Sequence, residues 1–526
     1  MALTETRPET HSDVGTDDAV GAWTPSPIVR LLGTGDHRSI GRSFITLSLL
    51  TLLVSAAGLA LAGIDGLSDD GLLGVPASLW GSSLVGLVLL GALPLLLGLA
   101  IQIVPRQVGS PAIAFPRAAA LSLWGWLVGA VIFIVSAVLD GGVGGTDNDA
   151  ARLGNVSMGL ILVAIALGSI AVATTVLSHR PLGMGLSKVP FFSWSMLIAA
   201  PVWTLTLASV AAHVLLGQIT QANAPGLAEN FDAGIAWFLG VPAIYMLAIP
   251  VLGIVGDAVA KTSGRRIVHY GRFQGLIAAY GVLSFGAWAQ SPRAVQTFVW
   301  VGFVVLAALP VLGVIGGVAD TLRRGKVAVT PGLLGGVLAL LLVLGGVLAG
   351  ALQALDSAGK DTLFALDLTA LHWAQALFLV GAAVVGALGG VALWSRRLFG
   401  ADAPASANGS VLASFLGGGL LGVVYVLQSI LARDGGEGIA SEAFGVIVAI
   451  GAALLVLGAL SGLAAVLAAS KAGATAESSD DPDGLTLEWV EPTVADSPLR
   501  DYEIAVVRSP YPLLDLRDGG SDEEGS

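Results

Sequence analysis

Histidine is the residue type here best suited to metal chemistry, because its neutral ring nitrogens ligate both iron and copper. No two histidines are adjacent, and no two are separated by a single residue. Cysteine is absent, which excludes disulfides, thiolate metal sites and cysteine nucleophiles. We find no phosphate-binding loop, zinc-ligand spacing or serine-hydrolase elbow. The chain has six histidines: His11, His37, His179, His213, His269 and His372.

The segments that must position these histidines are strongly apolar. Of the 526 residues, 55% are hydrophobic and 12% are charged, with a mean hydropathy of +0.84. Soluble proteins carry about 25% charged residues. Apolar runs recur that can cross a hydrocarbon core of about 30 Å, and they lack the alternation of barrel strands. The sequence predicts an all-α integral membrane protein, a twelve-helix transmembrane bundle with helices over 40–64, 77–104, 116–139, 153–178, 190–216, 233–256, 268–289, 294–318, 330–355, 366–394, 409–431 and 443–470.

Charge divides the chain into three parts. Residues 1–38 have no apolar core, so we expect no cleavable signal peptide. Residues 39–470 form the predicted membrane domain. Residues 471–526 contain fourteen acidic and four basic residues, a net of −10, which leaves −2 of the total −12 for the rest. We expect this acidic tail to be solvated, and its charge suggests a halophilic source. A negative chain is a poor candidate for binding nucleic acid.

The charge of the loops predicts the orientation. Basic residues concentrate in the loops after the even-numbered helices, whereas the intervening loops are richer in acids. By the positive-inside rule the even loops are cytoplasmic, so both termini of this plasma-membrane protein are predicted to be cytoplasmic. The basic residues of the even loops are Arg106, Arg180, Lys188, Lys261, Arg265, Arg266, Arg323, Arg324, Lys326, Arg396 and Arg397.

Five stretches, in unbroken order over residues 30 to 516, resemble motifs of one known family, subunit I of the haem-copper terminal oxidases (cytochrome c oxidase). One of them, Trp237–Tyr245, is similar to the family's Trp-Phe-Phe-Gly-His-Pro-Glu-Val-Tyr. The stretches are Thr34–Gly41, Val104–Arg117 with Leu121–Trp124 after it, Trp237–Tyr245, Thr486–Trp489 and Val506–Leu513. The resemblance implies the fold of oxidase subunit I.

The resemblance also implies two haems and a copper, held by imidazoles that include an adjacent His-His pair and a His-x-His pair. Both pairs are absent from the sequence in any alignment. At matching positions, Val241 replaces the copper-ligand His and Ala243 the neighbouring Glu. Ser83 stands for the haem ligand of helix two, Val314 for the proton-channel Lys, and Ala112 for the Asp at a proton entrance.

Further positions agree with this loss. The run Ala289-Gln290-Ser291 stands where the family has Ala-His-His, and Ala119 and Ala120 replace two Asn. Tyr245 keeps the family's Tyr but lacks the His needed for a cross-link. Several independent parts of one machine are therefore missing together.

His372 is the candidate cofactor-binding residue. It lies in predicted helix ten near the family's haem-ligand pair, as either a surviving haem ligand or a histidine hydrogen-bonded inside the bundle. His213 fits an interhelical hydrogen bond, and His37 an interfacial anchor. Asp361 and Thr362 resemble residues above the family's haems, but Lys360 precedes them and a solvated loop is the simpler interpretation.

These observations predict a degenerate paralogue of oxidase subunit I, with no catalytic residues and no metal site. It would be a non-catalytic structural subunit of a respiratory complex, in contact with membrane lipids and other subunits such as a subunit II-like protein. One alternative is an electron-transfer or oxidase subunit that binds haem through His372. Another is a transporter on the emptied scaffold, suggested by the 71 glycines.

Overall fold

The computed structural model describes residues 34–68, 71–76, 78–142, 145–223, 242–285, 297–325, 327–358, 364–474, 481, 483–490 and 507–523. Over these ranges the regular structure is helical, and no strand occurs. The principal helices are α1 (His37–Asp65), α2 (Ser78–Gln107), α3 (Pro116–Val138), α4 (Asn148–Ser178), α5 (Phe191–Asn223), α6 (Pro242–Ser263), α7 (Tyr270–Ser284), α8 (Thr297–Leu306 and Ala308–Arg324), α9 (Pro331–Ala358), α10 (Leu368–Leu393), α11 (Ser406–Leu431), α12 (Ser441–Gly473) and, in the tail, α13 (Pro512–Glu523).

The prediction of an all-helical membrane bundle is confirmed. Eleven helices among the described residues are long and apolar enough to cross a membrane. The remaining predicted span, over 268–289, corresponds to α7, which is described over 15 residues and then meets residues 286–296, outside the described part. The start of the predicted helix 233–256 also lies outside it, and α6 extends to Ser263.

Three helices form the centre of the bundle. In α2, α6 and α10, 89% of the membrane-spanning window is buried, against 61% or less in the other spans. Helix α10 packs against both α2 and α6, while α12 packs back against α1. Helix α2 has a π-helical stretch, Leu87–Ala92, in its middle. Side chains that face the interior are therefore concentrated on these three helices.

Glycine brings central helices into backbone contact. A Cβ built on Gly335 of α9 would lie 2.4 Å from the Cα of Gly389 in α10, and one built on Gly381 would lie 3.1 Å from the Cα of Gly418 in α11. Small residues let membrane helices approach closely without a gap. At these two points α10 consequently contacts its neighbours through backbone atoms.

Acidic side chains fix the starts of several helices. Asp36 accepts hydrogen bonds from the backbone N–H groups of Arg38 and Ser39, at 3.2 and 3.0 Å. Asp147 accepts from Ala150 at the start of α4, and Asp367 accepts from Thr369 and Ala370 at the start of α10. Such caps satisfy N–H groups that have no partner within the helix.

The tail is packed where the structure describes it, so the expectation of a solvated tail is wrong for this part. Glu488 is 1% exposed and Trp489 is 2% exposed. Leu485, Val507 and Tyr511 are also buried. We call residues 483–490 the tail strap, and the end of the bundle that it covers, where α2, α6 and α10 finish, the tail end.

Candidate functional site

His372 lies in the second turn of α10, at the end of the bundle opposite the tail end. It is half-buried, and its ring meets that of Trp373 edge-on, with centroids 5.7 Å apart. The side chain of Asp367 caps the helix at this end. The structure thus places the predicted haem-ligand candidate on a central helix.

Ser83, the position that would pair with His372 across a haem, faces a different neighbour. It is 4% exposed, and a Cβ built on Gly58 of α1 would lie 2.4 Å from its hydroxyl oxygen. Within the described part of the chain no hydrogen bond joins Ser83 to His372. Ser83 therefore belongs to the contact between α1 and α2.

Tyr245 and Gln375 meet in the interior beside Gly350. Tyr245 is 1% exposed and Gln375 is fully buried. A Cβ on Gly350 of α9 would lie 2.2 Å from the Tyr245 hydroxyl and 2.7 Å from Gln375 Oε1. Within the described residues, neither the hydroxyl nor either amide atom of Gln375 has a hydrogen-bond partner. Sequence reasoning missed Gln375, although it is the one amide side chain in α10.

The remaining predicted positions give a mixed picture. Val314 and Ala119 are fully buried, and Ala112 is half-buried in the loop after α2. His37 is 4% exposed with its Nδ1 3.9 Å from Asp36 Oδ1, and His213 is half-buried in α5. The other predicted positions, or their side chains, lie outside the described part of the chain; they are Val241, Ala243, Ala289, Gln290, Ser291, Lys360, Asp361 and Thr362.

A second polar cluster, which sequence reasoning missed, lies at the tail end. The Gln107 amide nitrogen donates to Asp257 Oδ2 at 2.8 Å and to Glu488 Oε1 at 3.2 Å. Its carbonyl oxygen accepts from the backbone N–H and hydroxyl of Ser193, at 3.0 and 2.6 Å. Trp394 Nε1 also donates to Glu488 Oε1, at 3.3 Å. One buried amide therefore connects α2, α5, α6 and the tail strap.

A cation holds the edge of this cluster. The Lys261 ammonium forms an ion pair with Asp481 and lies 3.2 Å from the centre of the Trp489 ring. Partial burial alone would raise the pKa of Asp481, but the hydrogen bond and charge of Lys261 outweigh it and hold this pKa below its ordinary value. Burial raises the pKa of the nearby Tyr511 hydroxyl well above its ordinary value. The phenol stays neutral there.

Comparison with known proteins gives the family. Residues 84–408, more than half of the chain, match the model of the family described as cytochrome c and quinol oxidase polypeptide I. This chain belongs to that family. The match includes most of α2 and all of α6 and α10, so the shared core carries Tyr245, Gln375 and His372, and it begins one residue after Ser83.

Named relatives of this family member are divergent. A haem-copper oxidase subunit I+III of Aeropyrum pernix is 28% identical over 72% of this chain and 49% of its own length. A putative cytochrome c oxidase subunit 1-beta of Streptomyces avermitilis is 30% identical over 50% of this chain and 51% of its own. A quinol oxidase subunit 1 of Bacillus subtilis is 27% identical over 48% and 43%. The chain thus spans about half the length of the curated relatives it matches.

Membership of the oxidase family implies haem and copper, and the side chains can be tested for them. Among the described residues no group of three or more His, Asp or Glu could hold a metal ion. The central helices α2 and α6 contain no histidine over their described lengths, and α10 contains His372 alone. The side chains that the structure describes do not fit a haem-copper centre.

Proposed function

We propose that this chain is a structural subunit I of a terminal-oxidase-type respiratory complex, without oxygen chemistry of its own. The observation that carries the proposal is the combination of the family's central helices with the loss of both histidine pairs from the sequence. Such a subunit would hold partner subunits, among them a subunit II-like protein, within the lipid bilayer.

The packing of the interior supports the proposal. Gly350 leaves room for the Tyr245 hydroxyl and Gln375, and Gly335 brings α9 onto the backbone of α10 at Gly389. Protein atoms occupy the space between these helices. At these two points the contacts are as close as those in the close-packed interiors of native proteins.

We further propose that the protein lies in the plasma membrane, with the tail end and both termini on the cytoplasmic side. The reason is the positive-inside rule, by which loops rich in Lys and Arg lie in the cytoplasm. Arg106 and Arg397 belong to this end, where the Arg106 guanidinium donates to the backbone carbonyl of Arg397. The net charge of −10 on residues 471–526 is consistent with a salt-rich, halophilic cytoplasm.

The experiment is purification of the intact protein from its native membrane through a small affinity tag. We expect a flat reduced-minus-oxidised spectrum for the isolated chain, no bound copper, and co-purification with other respiratory subunits. Stoichiometric haem in the chain separated from its partners would contradict the proposal. So would oxygen uptake by the complex that disappears when this gene alone is deleted and returns with it.

A second candidate function is electron transfer through one haem on His372, favoured by the position of this histidine on a central helix of the oxidase family. In that case His372→Ala abolishes a haem absorbance band. His213→Ala is the matched control, because it removes another half-buried histidine from a membrane helix. A spectrum unchanged by His372→Ala rejects this candidate.

A further inference from the structure

The tail strap carries a buried carboxylate into the end of the bundle. Glu488 is 1% exposed, and its Oε1 accepts from Gln107 and Trp394. Its second oxygen, Oε2, is buried and has no hydrogen-bond partner among the described residues. Burying an ionised oxygen without a donor costs at least as much free energy as the loss of a hydrogen bond to a charged group. The ionised form of Glu488 is therefore poorly accommodated.

The orientation of Gln107 is fixed by its other partners. Both donors on Ser193 face its carbonyl oxygen, so its NH₂ group must face the carboxylates. Asp257 Oδ2 and Glu488 Oε1 both accept from this single nitrogen, at 2.8 and 3.2 Å. Two carboxylates that share one donor in a buried place repel each other when both are ionised.

Asp257 already has a role that suits its charged form. Its Oδ1 accepts from the backbone N–H of Phe191 at 3.1 Å, and its Oδ2 accepts from that of Phe192 at 3.0 Å. It thereby caps the first turn of α5 from a neighbouring helix, where a negative charge is favourable. The unpartnered oxygen of Glu488 is then the natural place for a proton.

The other charged and titratable groups around the pair leave this conclusion in place. Lys261, the cation on α6, is paired with Asp481 of the tail, and its electrostatic attraction to Glu488 is weaker than this pairing. Arg397 donates to the backbone carbonyl of Val490 at 3.3 Å. Tyr511 donates no hydrogen bond to either carboxylate, and Tyr270 donates to the carbonyl of Val189. A small pocket beside Glu488 is lined also by Asp257, Lys261, Thr486 and Tyr511.

We propose that Glu488 and Asp257 together bind one exchangeable proton, and that this proton holds the tail strap against the bundle. Loss of the proton leaves two charges on one amide and loosens the strap. The ligand is a proton and not a divalent metal ion, because the described residues offer no third metal-ligating side chain here. The inference stands apart from the proposed function, since it concerns the tail end and not the haem positions.

The sequence has no cysteine, so a single introduced thiol can report whether the strap is open. Leu485→Cys places a single thiol on the strap at a position that is 2% exposed, and Val329→Cys places one in a loop at 77% exposure as the reference. Each full-length protein is reconstituted in lipid nanodiscs and labelled with a dipyridyl disulfide, which reacts over a wide pH range. The ratio of the two rates measures strap opening independently of thiol ionisation.

If opening releases one proton, the ratio rises by up to about tenfold per pH unit above about pH 4.3, the ordinary pKa of a solvated Glu, and levels off once the docked pair is ionised. Glu488→Gln should abolish this rise, because the amide mimics the protonated acid. Asp402→Asn is the matched control, since it removes an exposed carboxylate at the same end, paired with Arg396. It should leave the profile unchanged.

Three results would overturn the proposal. The first is a ratio independent of pH in the protein with both native carboxylates, which decides the question even if Glu488→Gln fails to fold. The second is a rise of the ratio above about pH 4.3 that persists in Glu488→Gln. The third is a ratio that follows sodium or potassium concentration at constant pH, which would identify a cation site instead.

Discussion

The side-chain amide of Gln107 donates to the carboxylate of Glu488 across 3.2 Å, although 381 residues separate them in the chain. Gln107 ends α2, and Glu488 belongs to the tail strap. The same amide nitrogen also donates to Asp257 on α6. A hydrogen-bond network thus joins α2, α6 and the tail strap at this end of the bundle. No local pattern of hydrophobic residues in the sequence indicates that network.

Replacing Gln107 with Leu should destabilise the protein strongly. The change leaves two carboxylates without a shared donor and two Ser193 donors without an acceptor, all buried. We expect a loss on the order of 3 kcal/mol, measured by denaturation in mixed micelles. Gln218→Leu is the control, because Gln218 is half-buried and makes one 3.4 Å bond to a carbonyl. Equal losses for the two variants would contradict the network.

Gly350→Ala should destabilise the interior by crowding Tyr245. The new methyl group would lie 2.2 Å from the phenol oxygen in a place without free space. We expect a loss of about 1–3 kcal/mol. Tyr245→Phe, which removes a hydroxyl without a partner, should be nearly neutral alone and should restore much of the loss in the double variant.

The control for Gly350→Ala is Gly316→Ala in α8, where a Cβ would meet nothing within 4 Å. That change should be neutral or stabilising, because alanine has the better helix propensity. Additive effects of Gly350→Ala and Tyr245→Phe would show that the two residues do not interact.

Asp356→Asn should loosen the loop before α10, at the end opposite the strap. Asp356 is fully buried, and its two oxygens accept separately from Phe364 N at 2.6 Å and Leu366 N at 3.0 Å. An amide keeps one acceptor and turns NH₂ toward the other N–H, so we expect a loss of about 1–3 kcal/mol in thermal or chemical unfolding.

Asp65→Asn is the matched control for Asp356→Asn. Asp65 accepts from Leu73 N and Gly74 N at 2.7 and 2.8 Å with the same oxygen, Oδ1, which asparagine retains. Its unfolding curve should overlay that of the native protein. A loss as large as that of Asp356→Asn would count against the geometric explanation.

The strap should also open at low pH. Lys261 holds the pKa of Asp481 below its ordinary value, against the opposing effect of burial. A carboxyl with a lowered pKa stabilises the docked state above its free pKa, about 3.9, and this contribution is lost as pH falls below it. Labelling of Leu485→Cys should therefore rise again below about pH 4.

Lys261→Met should remove this acid response, whereas Arg324→Met, which breaks an exposed ion pair with Asp320 in α8, should preserve it. An acid response that survives Lys261→Met would assign it to another group. The rise in labelling at low pH depends on Asp481, and the rise at higher pH depends on Glu488. The two responses can therefore be separated by mutation.

The sequence predicted most of the membrane fold because apolar runs and their ends are local properties. The predicted helix 116–139 is observed as Pro116–Val138, and 409–431 as Ser406–Leu431. The π-helical stretch Leu87–Ala92 was not predictable, since its composition matches that of the α-helix on either side. The packed strap was missed because its acidic surroundings indicate solvated chain, and Glu488 is buried only through partners that lie hundreds of residues away.

The candidate site was predicted in part. His372 was predicted to lie in helix ten, over 366–394, and it is observed in α10 (Leu368–Leu393), while its role as a haem ligand stays a prediction. Its expected opposite, Ser83, faces Gly58, because helix rotation about its axis depends on neighbours that a single sequence does not reveal. Gln375 and Tyr245 come together from different helices, and Gly350 on a third makes their approach possible.

The bond between Gln107 and Glu488 has a consequence for the order of biosynthesis. At 5–20 residues per second, a ribosome needs roughly 20 to 80 s to travel between these two positions. Throughout that interval Gln107, and later Asp257, are inserted without the partner that completes them. Membrane quality-control proteases would therefore meet an unfinished tail end on every nascent copy, and a premature stop just before the strap would leave that end permanently open to them.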